Sequence, residues 1–185
     1  MPLSLTETQA WLGSHGGLLY PFLIAVWISL GDLKSRKIPN YLTLGAALAG
    51  LAYNLAVSGW VGLMDGVLGL LLGFACLILP YLLGGMGAGD VKALAALGAW
   101  LGPKATLFLF CYMGVAGGLM ALAVLIWKGL LWEKIRRGWS ILLNLVLCRD
   151  HGLALAQPQI RETPGIPYGV AIALGMGVLL LTGGV

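Results

Sequence analysis

Charge along this chain falls in small clusters, and the stretches between clusters are long and apolar. Uncharged runs cover Thr8–Gly31, Ile38–Met64, Gly66–Gly89, Ala105–Trp127 and Thr163–Val185. Each is long enough to supply the roughly 20 residues that a helix needs to cross hydrocarbon. Divided at their turn residues, they predict six helices: Gly17–Leu33, Tyr41–Val57, Val61–Leu83, Asp90–Leu101, Ala105–Trp127 and Ile166–Leu181. The fold class expected is therefore all-α, a polytopic membrane protein forming a single domain over residues 1–185.

The fourth helix is the weakest of these. Ala93–Pro103 spans only about 17 Å at 1.5 Å per residue, against a hydrocarbon core of about 30 Å. Its small residues Ala93, Ala95, Ala96, Gly98 and Ala99 suit close packing against neighbouring helices that would shield it. Between Leu130 and Leu147, Leu131, Ile135, Trp139, Leu142 and Leu143 recur beside Lys134, Arg136 and Arg137. That pattern predicts an amphipathic helix lying on the membrane surface, with a seventh span as the alternative.

Composition agrees, with 59% of the 185 residues hydrophobic and only 10% charged, where soluble domains carry about 25%. The net charge of +4 could point to nucleic acid, but its placement points to topology. With the N-terminus outside, Lys34, Arg36, Lys37, Lys92, Lys128, Lys134, Arg136, Arg137, Arg149 and Arg161 lie at the cytoplasmic face and Lys104 alone lies outside. Such a bias is what orients helices in a bilayer. Met1–Gly17 carries no Lys or Arg, unlike the basic start of a signal peptide, so the N-terminus is expected to stay in the mature protein. Cys76, Cys111 and Cys148 form no CxxC pair, and neither metal nor redox chemistry is expected of them.

Asp32, Asp65 and Asp90 are the acids within or at the ends of the apolar runs, where ionisable groups are costly and often functional. Asp32 ends the first helix and Asp90 follows the third, so the chain leaves and returns to one face between them and the two can meet. Asp65, 25 residues before Asp90, is expected about 37 Å away along the helix and outside any shared site, as an acid favoured at a helix N-terminus. Taken singly, Asp32 could balance Lys34 or Arg36, and Asp90 could cap its helix and pair with Lys92. The run Gly84-Gly85-Met86-Gly87-Ala88-Gly89-Asp90 shifts that balance, because glycines let a backbone approach another chain closely. Pro39 disfavours helix at the residue before it and turns the chain into the second helix. Two carboxylates a few ångströms apart hold one proton between them. Such a pair can activate water with one member and protonate a peptide carbonyl with the other.

Three segments carry a resemblance: Asp32-Leu-Lys-Ser-Arg-Lys-Ile-Pro-Asn40, Gly87-Ala-Gly-Asp90-Val-Lys92 and Pro164-Gly-Ile-Pro-Tyr-Gly169. The chain resembles the type IV prepilin peptidases, a family of GxGD aspartyl proteases of the bacterial inner membrane. The resemblance implies Asp32 and Asp90 as the catalytic pair. It implies Gly87, Gly89, Lys92, Pro39, Asn40, Pro167, Tyr168 and Gly169 as supporting or substrate-loop residues. It further implies removal of a short basic leader from pilin-like precursors at the cytoplasmic membrane face, with prepilins and the lipid bilayer as partners and no nucleic acid. Bifunctional members carry an N-terminal methylating insertion with paired CxxC motifs, which this sequence does not show. The chain is similar to the small peptidase-only members of tight-adherence pilus systems, for which no methyltransferase activity, no metal and no cofactor are expected. A presenilin-like GxGD protease and a proton-coupled transporter using Asp32 and Asp90 are the competing readings. The tyrosine-aspartate motif of the former is missing, since Gly31 precedes Asp32, and carrier acids would be expected nearer the membrane midplane.

Overall fold

The computed structural model describes residues 5–35, 39–127, 129, 132, 136 and 168–183. The helices are α1 (Leu5–Ser35), α2 (Asn40–Leu82), α3 (Ala88–Trp127) and α4 (Tyr168–Leu181), and no strand occurs among the described residues. The chain divides into two compact units, Met1–Gly117 with Pro167–Val185, and Gly118–Ile166. The second contributes, among described residues, the last turns of α3 and three separate positions. The first unit holds α1, α2, α4 and most of α3, and with them Asp32, Asp65 and Asp90. The amphipathic helix expected over 130–147 falls almost wholly outside the described residues, as do Pro164, Pro167 and Cys148; Trp132 and Arg136 are helical.

Three helices, not six, are continuous by hydrogen bonding and long and apolar enough to cross a membrane: α1, α2 and α3; α4 is a shorter apolar helix of 14 residues. The difference arises at two glycines. Gly59 (φ 61°, ψ −146°) and Gly102 (φ 72°, ψ 175°) are non-helical inside α2 and α3, in a region of φ that residues with a Cβ seldom adopt. They fall where the sequence places the second-to-third and fourth-to-fifth boundaries.

Both glycines reverse the chain. A Cβ on Gly66 would lie 3.0 Å from the Leu51 side chain, yet 15 residues of continuous helix would hold the two about 22 Å apart. Further along, Gly117 lies against Tyr168, and Asp90 lies within electrostatic reach of Asp32, which is bonded to Gly169. On a straight α3 the 27 residues from Asp90 to Gly117 would span about 40 Å, far too much for both contacts to be kept. α2 and, as far as Gly117, α3 are thus each two antiparallel rods. α1 begins at Leu5, earlier than the Gly17 expected, because a helix continues through polar residues such as Thr6, Glu7 and Gln9 that carry no membrane signal.

The rod Ala88–Leu101 sits at the centre. Every residue from Ala93 to Ala99 is buried, and Leu94 and Leu97 belong to one buried cluster with Ala25 and Ile28 of α1, Leu109 and Met113 of the second α3 rod, and Ile172 and Met176 of α4. Ala96 and Ala99 pack on Ala46 and Ala47 of α2. A short helix enclosed by protein need not match the bilayer thickness, which is the shielding its small residues predicted.

Close approach depends on glycine. A Cβ on Gly69 would collide with the Gly98 backbone, and one on Gly98 with that of Gly69, so the second α2 rod crosses the central rod backbone to backbone. Polar ties then fix the register. Asn54 Nδ2 donates to the Ala99 carbonyl at 2.8 Å and Trp100 Nε1 to that of Ala46 at 2.8 Å. Outward faces stay apolar, with Trp27 69% and Leu68 53% exposed, which fits lipid and not water.

Candidate functional site

Asp32 occupies the last turn of α1 and Asp90 the first turn of α3, both buried at 9% and 8% exposure. They are near enough for the charge of Asp32 to act on Asp90, so the predicted convergence of these two acids is present. The last turn of a helix is the wrong end for an acid, because the exposed carbonyls there carry partial negative charge. The fold compensates at Asp32 with the N-terminus of α4: the Gly169 N–H donates a buried 2.9 Å hydrogen bond to Asp32 Oδ2. Asp90 lies at a favourable helix start of its own. Both carboxyls therefore face helix N-termini, which offer partial positive charge without a cation.

The loop before α3 is shaped around Asp90. Gly84 (φ 74°) allows the chain to turn after Leu83, and Gly85 N–H returns to the Pro80 carbonyl at 3.0 Å. Gly87 N–H donates to Asp90 Oδ2 at 3.3 Å, while Asp90 N–H donates to the Gly87 carbonyl at 3.1 Å. A Cβ on Gly87 would stand 3.3 Å from that carboxylate oxygen. Gly89, partly exposed, completes the approach.

At Gly169 the constraint is tighter. A Cβ there would fall 2.8 Å from Asp32 Cβ and 2.9 Å from Oδ2, so only glycine lets the α4 backbone reach the acid. Tyr168 packs on Gly117, where an added Cβ would meet Cε1 at 3.2 Å. Pro167 lies outside the described residues. Lys92, a possible partner for Asp90 from sequence, instead donates from Nζ to Asn40 Oδ1 at 2.8 Å, joining the start of α3 to the start of α2. Pro39 holds the extended backbone (φ −68°, ψ 135°) that opens α2.

Asp65 is exposed and lies beside Gly102, at the far end of the central rod. Twelve residues of helix put that point about 18 Å from Asp90. The 37 Å expected was too long because it took all 25 residues as one straight helix, whereas the chain runs to Leu82 and then doubles back through 83–87 to Asp90; Asp65 is still outside the site. Among the described residues no three of His, Cys, Asp and Glu gather where they could hold a metal ion. The roles of Asn54 and Trp100 were not legible in the sequence, since neither sits in a motif.

Residues 18–122 match the profile described as Type IV leader peptidase family. The chain belongs to this family. The matched range contains Asp32, the glycine loop and Asp90. Among curated proteins it is 34% identical over 188 residues to the prepilin leader peptidase/N-methyltransferase of Aeromonas salmonicida, covering 98% of this chain and 53% of that protein. The protein of the same name from Neisseria gonorrhoeae is 35% identical over 127 residues, covering 65% of this chain and 43% of its own length. That from Pectobacterium carotovorum is 37% identical over 120 residues, 61% of this chain and 41% of that protein. The chain thus spans about half the length of the curated relatives it matches. No solved structure matches it.

Proposed function

We propose that this protein is a membrane aspartyl endopeptidase that removes the short basic leader of pilin-like precursors, with Asp32 and Asp90 as its catalytic pair. One observation supports this above the others: two buried carboxyls from helices 58 residues apart in sequence, each facing backbone N–H groups, on a chain of the leader peptidase family. In the reaction the ionised acid takes a proton from water as the oxygen attacks the scissile carbonyl. The protonated acid donates to the carbonyl oxygen, giving a gem-diol; the first acid then passes the proton it took from water to the amine nitrogen as the C–N bond breaks, and the second recovers its proton from a gem-diol hydroxyl. No side-chain nucleophile is needed. Gly87 and Gly169 hold the carboxyls through their amides, and Gly89 leaves room for an extended peptide beside them.

In this reading the six rods are six crossings of a bacterial inner membrane, with the acid pair at the cytoplasmic face. The charge bias and the chain reversals at Gly59 and Gly102 support it. The substrate helix stays in the bilayer while its leader junction lies extended at the interface. A small residue beside the scissile bond lets it approach the Gly87–Asp90 loop. The acids lie at helix ends and not at mid-helix, which speaks against a proton-carrying transporter.

The test is purified protein in liposomes with a pilin precursor, the product followed by mass and the cut located by N-terminal sequencing. Cleavage is expected after the leader, and a bulky replacement of the last leader residue should block it. Cleavage inside the apolar helix would move the assignment to a presenilin-like protease.

A further inference from the structure

On the side of the central rod turned from the acid pair, a groove of about 380 Å³ opens between α2 and the start of α3. Leu44, Ala47, Leu70 and Phe74 make its apolar walls, and Asn40 with Lys92 closes its polar end. We propose that this groove holds an anionic phospholipid, with one acyl chain against Leu44, Leu70 and Phe74 and the phosphate on the Lys92 ammonium.

Charge and geometry select this occupant. Lys92 is exposed and spends one N–H on Asn40 Oδ1, while an ammonium has three donors and the Asn40 amide nitrogen two more. Together they form a cationic donor set suited to phosphate oxygens. Directly along the rod, three and four residues beyond Lys92, Ala95 and Ala96 also line the groove, and their small side chains leave space for a chain. An anionic headgroup at the end of an apolar channel between helices meets a lysine where it would meet lipid counterions otherwise. A zwitterionic headgroup brings its own cation and gains less.

A substrate peptide fits the same groove poorly. Lys92 lies about 200° around the helix from Asp90, and no residue of α1 or α4 lines the groove. A peptide seated there presents no bond to Asp32 or Asp90. The lipid assignment rests on a bilayer setting and stands whether or not the acid pair cleaves pilins.

The experiment uses full-length protein in nanodiscs of phosphatidylglycerol and phosphatidylcholine, with a photoactivatable group on the phosphatidylglycerol acyl chain. Cross-links mapped by mass spectrometry should concentrate at Leu44, Leu70 and Phe74. Native mass spectrometry should show Lys92→Met retaining about fivefold less phosphatidylglycerol than wild type, the factor of one lysine against an anionic headgroup, with Lys92→Arg close to wild type; the cross-links at Leu44, Leu70 and Phe74 should fall with Lys92→Met and stay unchanged with Lys34→Met, which lies outside the groove. The mapping on wild-type protein needs no variant to fold. Cross-links spread evenly over the exposed faces, equal retention of both lipids, equal retention by Lys92→Met, or displacement of the cross-link by a pilin precursor would each overturn the proposal.

Discussion

Gly169 donates its backbone N–H to Asp32 Oδ2 across 137 residues of sequence, and the approach leaves no space for a Cβ. The start of the last helix is therefore part of the acid site. Gly169→Ala should lower cleavage by about 10²-fold, the cost of displacing a catalytic group by about 1 Å, with protein still inserted in the membrane. Gly114→Ala, where an added Cβ meets nothing within 4 Å, is the control and should leave activity unchanged. Rates of precursor processing by the purified variants decide it; equal rates would detach Gly169 from catalysis.

Asp32→Asn and Asp90→Asn should each abolish processing, because the amide keeps the size but cannot take a proton from water. Asp65→Asn should retain most activity, being exposed and at the far end of the central rod. The same assay reads all three. Turnover by either of the first two variants would remove that residue from the mechanism.

The backbone crossing of Gly69 and Gly98 makes a stability prediction. Gly98→Val forces atoms into the Gly69 backbone and should destabilise the fold by about 1–3 kcal/mol or more, as overpacking does. Thermal unfolding in detergent would show a lowered Tm, while Gly45→Val, in open space, should change it little.

Orientation can be checked without activity. Cysteines at Ser35 and Arg149 should be protected from an impermeant thiol reagent added outside cells, whereas one at Ser58, beside the Gly59 reversal and exposed, should label. The opposite pattern would invert the protein in the membrane.

Much of this arrangement was legible because helix breaks and charge are local. Ser58-Gly59 and Gly102-Pro103 interrupt apolar runs at the positions where the rods turn, and the order of helices alone brought Asp32 and Asp90 to one face while excluding Asp65. What escaped was non-local. Nothing near Asn54 or Trp100 in sequence identifies Ala99 or Ala46 as a partner, and a glycine in an apolar run looks the same whether it faces lipid, as Gly114 does, or another backbone, as Gly69 does. The bond from Gly169 to Asp32 belongs to the same class: its motif marks it, but its purpose lies in an acid on another helix.

Enclosure of Ala93–Ala99 also separates two mechanical requirements. Exposed apolar side chains such as Trp27, Leu68 and Val115 are the surface a bilayer would meet, so a thinner or thicker bilayer would act on those helices through tilt and local deformation of lipid. From Ala93 to Ala99 the inner rod is buried, so apart from the narrow strip of Ala95 and Ala96 in the groove it presents little hydrocarbon surface on which mismatch could act. Its position is set by the Gly69–Gly98 crossing and the Asn54 tie, and the acid at its tip keeps its depth relative to the protein, not relative to the membrane.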